Sequence, residues 1–273
     1  MEGIKGACAI HKGERVSMII DCHVHMGITD NYYMPEDMIL ASMDRYGIDR
    51  VILSNIEGIQ KLPGENLQSA VNEKAIRFAR KYPDRISVLL WARPEEEGAT
   101  PEFERLLLDN PDVVCGIKVH PAGSGVAISD ERIERYAALG AKYGKPVLFH
   151  TAADEASGPE QLEAYALAYP NGIFILGHLG LRTDNEAAVR LILTYPNLYG
   201  DTAWVKPETA LRIMEQGGED KLLFGTDSPI NGTDTYADPL YYDVYLNQFR
   251  TLLKKEQFEK LMYQNTMRLF RLK

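Results

Sequence analysis

The sequence is poor in the features that mark several large protein classes. It has three cysteines, Cys8, Cys22 and Cys115, at wide and unmatched spacings, which argues against a disulfide framework or a zinc knuckle and fits a reducing compartment. No apolar run approaches the roughly 18 residues needed to cross a bilayer, and the N-terminus lacks the long apolar core of a signal peptide. The expected location is the cytoplasm. Lys and Arg, 30 together, are outnumbered by 39 Asp and Glu, and the charges are interspersed. Without a basic stripe, neither nucleic acid nor a membrane is an expected partner. No Gly/Ser-rich or Pro-rich linker divides the chain, so one domain is expected. The glycine-rich G-x-G-x-x-G that opens a dinucleotide-binding fold is also missing after the first predicted strand.

What is present is alternation. Short apolar runs, many rich in β-branched residues, recur at Met18 to Cys22, Arg50 to Ser54, Ile86 to Trp91, Val113 to Val119, Pro146 to Phe149, Ile173 to Gly177, Asn197 to Gly200 and Leu222 to Gly225. Between them lie stretches with helical spacing, such as Leu67, Val71, Ala75, Phe78 and Ala79, or Ile133, Ala137, Leu139 and Ala141. Eight strands alternating with helices imply parallel pairing, with both sheet faces buried. Four returns from helix to strand share one punctuation, Tyr82-Pro83-Asp84, Asn110-Pro111-Asp112, Tyr169-Pro170-Asn171 and Tyr195-Pro196-Asn197, where proline forbids further helix and Asx favours a turn. Thr183 and Glu186 have capping-box spacing before the next apolar run. Residues 1–17 show no clear period, and Met18 opens a clean strand, so the first 17 residues read as an N-terminal extension outside the core. The length from Met18 is close to the roughly 250 residues of an eightfold barrel. The expectation is an α/β fold, a single-domain (β/α)8 TIM barrel with a C-terminal helix, over residues 18–273.

Five of the six histidines and one aspartate fall at or just after the ends of predicted strands. His23 and His25 follow the first, His120 the fourth, His150 the fifth, His178 the sixth and Asp227 the eighth. The successive intervals, His120 to His150, His150 to His178 and His178 to Asp227, are 30, 28 and 49 residues, or one, one and two β/α units. All therefore share one phase, which in a barrel is the catalytic face. Side chains two apart on an extended strand point the same way, so His23 and His25 can grip one ion. With His150 and Asp227 they make a mixed N/O donor set suited to a divalent metal, zinc foremost, with room for a water whose pKa the metal lowers. His178 is left to move protons. A lone strand-end histidine is as readily structural or solvated, and His11, in the extension, reads as a solvated residue.

Asp21-Cys22-His23-Val24-His25, Leu148-Phe149-His150, Leu176-Gly177-His178-Leu179-Gly180 and Phe224-Gly225-Thr226-Asp227-Ser228-Pro229 together resemble the amidohydrolase superfamily. The nearest branch is the amidohydrolase-related group that contains aminocarboxymuconate-semialdehyde decarboxylase, resorcylate-type decarboxylases and pyrone-dicarboxylate lactonase. The closing Asn265-Thr266-Met267-Arg268-Leu269-Phe270 is similar to that branch's final helix. The resemblance implies a metal held by His23, His25, His150 and Asp227, with His178 as acid/base beside the water and Asp227 able to accept a proton as well. It also allows a homodimer. Lys118, in Gly116-Ile117-Lys118-Val119-His120-Pro121, is similar to the carboxylated lysine of dihydroorotase-type relatives. One reading is therefore a binuclear site bridged by carboxylated Lys118. The other is one metal per chain, with Lys118 an inward ammonium that binds an anionic substrate, and His120 beside it as a substrate contact.

Other residues carry two readings each. Trp91 and Trp204 wall the pocket or simply pack; Asp201 orients a ligand histidine or caps the next helix. The loop at Asn31-Tyr32-Tyr33-Met34-Pro35 and the stretch from Asp234 to Tyr242 are substrate walls or rim packing. Cys22 and Cys115 read as small buried hydrophobes. The leading functional expectation is a divalent-metal hydrolase of a small carboxylate-bearing amide, ester or lactone. The alternative is a non-oxidative decarboxylase using the same site, and a third reading is a metal-binding barrel without catalysis.

Overall fold

The computed structural model describes residues 18–60, 67–96, 100–230 and 235–273; the expected extension at residues 1–17, with Cys8 and His11, lies outside them. Eight parallel strands form the barrel: β1 (Ile20–Ile28), β3 (Arg50–Asn55), β4 (Ile86–Trp91), β5 (Val114–Val119), β6 (Val147–Ala152), β7 (Phe174–Leu181), β8 (Leu198–Asp201) and β9 (Leu222–Leu223). Each pairs with the next in this order. The sheet closes on itself where Cys22 N donates to Phe224 O at 2.9 Å and His25 N donates to Ser228 O at 2.8 Å, while Asp227 N donates back to His23 O at 2.7 Å. A two-residue strand missed by sequence periodicity, β2 (Tyr33–Met34), folds back antiparallel on the end of β1.

The helices that cover the outer face begin with α1 (Glu36–Tyr46), α2 (Leu67–Lys81), α3 (Pro101–Asp109), a short α4 (Pro121–Ser124) and α5 (Glu131–Tyr143). They continue with α6 (Leu162–Ala168), α7 (Glu186–Thr194) and α8 (Pro207–Glu215). The predicted stripes face inward as expected: Val71, Ala75, Phe78 and Ala79 of α2 and Ile133, Ala137 and Leu139 of α5 are buried, because a stripe at 3.6-residue spacing lies along one side of a helix. The expected capping box does not form. Thr183 instead donates to Gly180 O and accepts from Asn185 N, and Asn185 caps α7 through its backbone, in a left-handed conformation. The single expected C-terminal helix is a series: a π-helical segment Leu240–Gln248, α9 (Phe249–Leu252), α10 (Lys255–Glu259), a second π-helical segment Lys260–Gln264, and α11 (Asn265–Phe270). Among the described residues no helix is long and apolar enough to cross a membrane.

Inside the barrel, Ile20, Cys22, Ile52, Leu89, Cys115, Leu148, Ile175 and Leu223 form a plug, closed at the strand beginnings by Leu269 and Phe270 of α11. Both cysteines are thus small core residues, as expected. Above this apolar layer the inward positions turn polar. On β1 the pairing with β3 shifts register between Asp21 and Val24, a bulge of the kind that re-aims side chains, and past it His23 and His25 face the interior.

Candidate active site

The polar layer is built around His23. Its Nδ1 lies 2.7 Å from Asp201 Oδ2 at the end of β8. A carboxylate accepts, so Nδ1 carries the proton and the Nε2 lone pair faces Lys118 Nζ of β5, 2.7 Å away. His25 points its Nε2 at Asp227 Oδ1, 3.0 Å away, and its Nδ1 at Ser54 Oγ on β3, 3.0 Å away. Asp227 Oδ1 also lies 3.5 Å from His23 Nε2, and its Oδ2 accepts from Trp204 Nε1 at 3.0 Å. This close packing requires missing side chains elsewhere. A Cβ at Gly225 would fall 3.0 Å from His23 Cβ, and one at Gly177 would fall 2.8 Å from Phe149 O.

Asp201 is the organising acceptor. Besides His23 it takes the backbone N–H groups of His178 at 2.9 Å and Ala203 at 3.1 Å, so of its two expected roles it fills the orienting one; α8 is capped elsewhere, at Lys206. Asp21 does the same at the seam. It accepts from His23 N, Thr226 N, Thr226 Oγ1 and Tyr236 Oη, tying β1 to the segment after β9. His178, Trp204 and Asp227 all have left-handed backbones, with φ of 66°, 59° and 64°.

Burial governs the charge states. It lowers His23, His25, His120 and His150 below the usual imidazole range, and takes His178 to about 4. It takes the Lys118 ammonium down to about 8 against the pull of Asp227 and Asp201, and lifts Asp21 to about 7 although four hydrogen bonds oppose it. Burial alone would raise Asp227 too. The His25 hydrogen bond and the surrounding imidazoles outweigh it and hold that carboxyl well below its ordinary value.

A pocket of about 340 Å³ opens above this layer, lined among others by His25, His120, His150, Trp204 and Asp227. His23, Lys118 and His178 lie beneath its floor and are buried. Among the described residues, two groups bring three possible donor atoms within 4.8 Å of one another: His23, His25 and Asp227, and His23, His178 and Asp201. The second is already spent on internal hydrogen bonds through Asp201. The first keeps an open side toward the pocket, and its imidazole and carboxylate donors suit a divalent metal. The structure thus brings three of the four expected ligands together. His150 stands on the adjoining wall instead, its ring centroid 4.0 Å from that of His120 and 4.8 Å from that of His178.

Trp204 does more than wall the pocket, since it donates to Asp227, and Tyr241 Oη accepts from its backbone N–H. Trp91 packs, stacked on His120. Tyr32 lines the pocket while Tyr33 is exposed. Of the stretch beginning at Asp234, that residue lies outside the described ones, and Tyr236 and Tyr241 are buried supports. Sequence reasoning missed Ser54, the partner of His25, although it ends a predicted strand and shares the phase of the histidines. It also missed Arg182, an exposed cation on the pocket rim four residues past His178.

Comparison with known proteins bears on this arrangement. The amidohydrolase family model matches residues 20–272. The fold is shared with 2,6-dihydroxybenzoate decarboxylase from Rhizobium (17% identity, 94% of this chain and 99% of that one, TM-score 0.71). It is also shared with 5-carboxyvanillate decarboxylase from Novosphingobium aromaticivorans complexed with manganese and 4-hydroxy-3-methoxy-5-nitrobenzoic acid (15%, 95% and 97%, TM-score 0.72). A dihydroxybenzoic acid decarboxylase from Polaromonas with bound manganese and the inhibitor 2-nitroresorcinol is similar as well (18%, 94% and 97%, TM-score 0.66). The sequence has no match among the curated proteins. The family match spans the whole barrel, strand-end histidines included, and this chain belongs to the amidohydrolase family.

Proposed function

We propose that this protein is a divalent-metal-dependent, non-oxidative decarboxylase of a small unsaturated or aromatic carboxylate. The observation that carries the reading is the composition of the pocket: the open donor group of His23, His25 and Asp227 sits under a slot walled by flat rings, Tyr32, Trp204, His120 and His150. Loss of carbon dioxide leaves an electron pair on carbon, which a conjugated ring can delocalise, and a flat slot suits such a ring. The hydrolase expectation needs no such shape, and the three decarboxylases that share the fold favour the same choice.

In this reading His23, His25 and Asp227 hold the metal, with His150 as the fourth donor from the adjoining wall. When bound, the ion supplies positive charge to hold the substrate carboxylate. The imidazole-rich donor set suits zinc, and manganese is the ion in two of the neighbours. His178 donates its Nδ1 proton to Ala203 O, 3.1 Å away, which leaves Nε2 to take up a proton and deliver it to the carbon that loses carbon dioxide. Asp227 is the second candidate for that transfer. Lys118 Nζ, 2.7 Å from His23 Nε2, would yield that lone pair to the metal and contribute positive charge beside the site, and Arg182 adds another at the rim.

The test combines elemental mass spectrometry with product analysis. One ion per chain, no added mass on Lys118, and release of carbon dioxide with solvent deuterium found on the vacated carbon would support the reading. Water added across a lactone, ester or amide without carbon dioxide would overturn it. Two ions with carbon dioxide retained on Lys118 would favour the binuclear, dihydroorotase-like site.

A further inference from the structure

Trp204 follows β8 as a large ring in a costly place. It is 36% exposed, its backbone is left-handed, and its side chain lines the pocket. A bulky residue holds that conformation only where its surroundings enforce it. On one side of it, Ala203 N donates to Asp201 Oδ1 at 3.1 Å. Trp204 N donates to Tyr241 Oη at 2.6 Å, and Tyr245 Oη donates to Val205 O at 3.0 Å. Both tyrosines are buried and belong to the π-helical segment Leu240–Gln248. Three successive residues are thus tied down through their backbone.

The constraint aims one polar atom. The indole Nε1–H donates to Asp227 Oδ2 at 3.0 Å, and an indole nitrogen can only donate. Asp227 is also held through its backbone, since its N–H donates to His23 O at 2.7 Å. Its two oxygens therefore face different ways. Oδ1 lies 3.0 Å from His25 Nε2 and 3.5 Å from His23 Nε2, while Oδ2 faces the indole.

We infer that Trp204 is a positioning residue: its N–H occupies Asp227 Oδ2, so that Asp227 offers Oδ1 alone to a metal beside the two imidazoles. This rests on the reading of Asp227 as a ligand, and not on the reaction that the metal serves. One carboxylate oxygen beside imidazole nitrogens suits the low coordination number of zinc. Manganese, which favours octahedral, oxygen-rich sites, gains more from a second oxygen, so the indole tilts the site toward zinc.

The test strips the full-length protein with chelator and titrates it with Zn²⁺ and with Mn²⁺ against a chromophoric competitor. Trp204→Phe, which keeps an aromatic wall and loses the donor, should bind zinc about 10–100-fold more weakly. Manganese should lose less, and circular dichroism should stay unchanged. Equal losses for the two ions would overturn the inference. The wild type supplies a second readout. The sequence has two tryptophans, and their indole ¹⁵N–¹H signals are told apart by Trp91→Phe or Trp204→Phe. In zinc-loaded protein the Trp204 N–H should resist solvent exchange although its ring is partly exposed; rapid exchange would mean that Oδ2 has left the indole, and would overturn the inference. Unchanged zinc affinity in Trp204→Phe, with metal lost in Asp227→Ala, would overturn the role of Trp204 and leave the metal site and the decarboxylase reading standing. Full metal content in Asp227→Ala would overturn the ligand assignment and this inference together.

Discussion

The two ends of the barrel use similar side chains in opposite ways. At the strand beginnings, cations donate into the backbone. Arg50 reaches the carbonyls of Pro83, Asp84 and Lys273, Lys145 that of Val114, and Lys221 those of Tyr195, Pro196 and Leu198. At the strand ends, His23, Lys118, His25, Asp227 and Asp201 face one another instead. The first arrangement ties off loop carbonyls and stabilises the turn chemistry; the second leaves lone pairs and a carboxylate aimed at a pocket. Cavity size does not tell the ends apart, since the cleft among Arg50, Lys145 and the last residues, about 400 Å³, is larger than the one above the histidines. Donor chemistry does, in keeping with the division of barrels into a catalytic and a stabilising face.

The comparison can be broken by substitutions on either side. Asp227→Ala should have the largest effect, removing bound metal and activity together while the chain still folds; full metal content after this change, measured by elemental mass spectrometry, would sink the ligand assignment. Asp201→Asn should lower metal affinity or activity by about 10–100-fold through misorientation of His23, with circular dichroism unchanged. In chelated protein, stability should fall as the pH is lowered from about 6.5 toward 4. The unfolded chain takes up protons on its histidines in that window, whereas His178 resists until about 4 and the other four site histidines are lowered as well. Asp21, raised to about 7, and Asp201, also raised by burial, work in the other direction but are two groups against five histidines. Thermal melts across this range check the sign, and a flat profile would contradict the buried, neutral imidazoles. At the opposite end, Lys221→Met should cost about 1–3 kcal/mol in chemical denaturation and leave turnover unchanged. Smallest of all, Arg77→Ala removes an exposed pair with Glu73 and should shift Tm by about a degree or less.

Much of this architecture was legible in the chain because barrel strands are buried on both faces and read as apolar runs. The same rule explains where the reading stopped short. The first predicted strand ends at Cys22, whereas β1 continues to Ile28, and the sixth ends at Gly177, whereas β7 continues to Leu181. In each case the strand goes on through the strand-end histidines, whose polarity ended the apolar pattern. The common phase of His23, His25, His150, His178 and Asp227 was readable, since one β/α unit has nearly constant length. The Trp204 contact with Asp227 and the Ser54 contact with His25 were not, because they depend on how strands 23 and 29 residues apart in sequence lie in space. The capping box failed for a local reason: Thr183 had a nearer acceptor in Gly180 O.

The left-handed backbone at His178, Leu179, Trp204 and Asp227 has a consequence for selection. Each of these residues pays a conformational penalty of about 1 kcal/mol or more that glycine would escape. A library of variants screened only for heat resistance should therefore drift toward glycine or asparagine at these positions. Survivors of such a screen would be sturdier barrels that had lost their chemistry, and a screen meant to improve the enzyme has to hold these residues fixed from the outset.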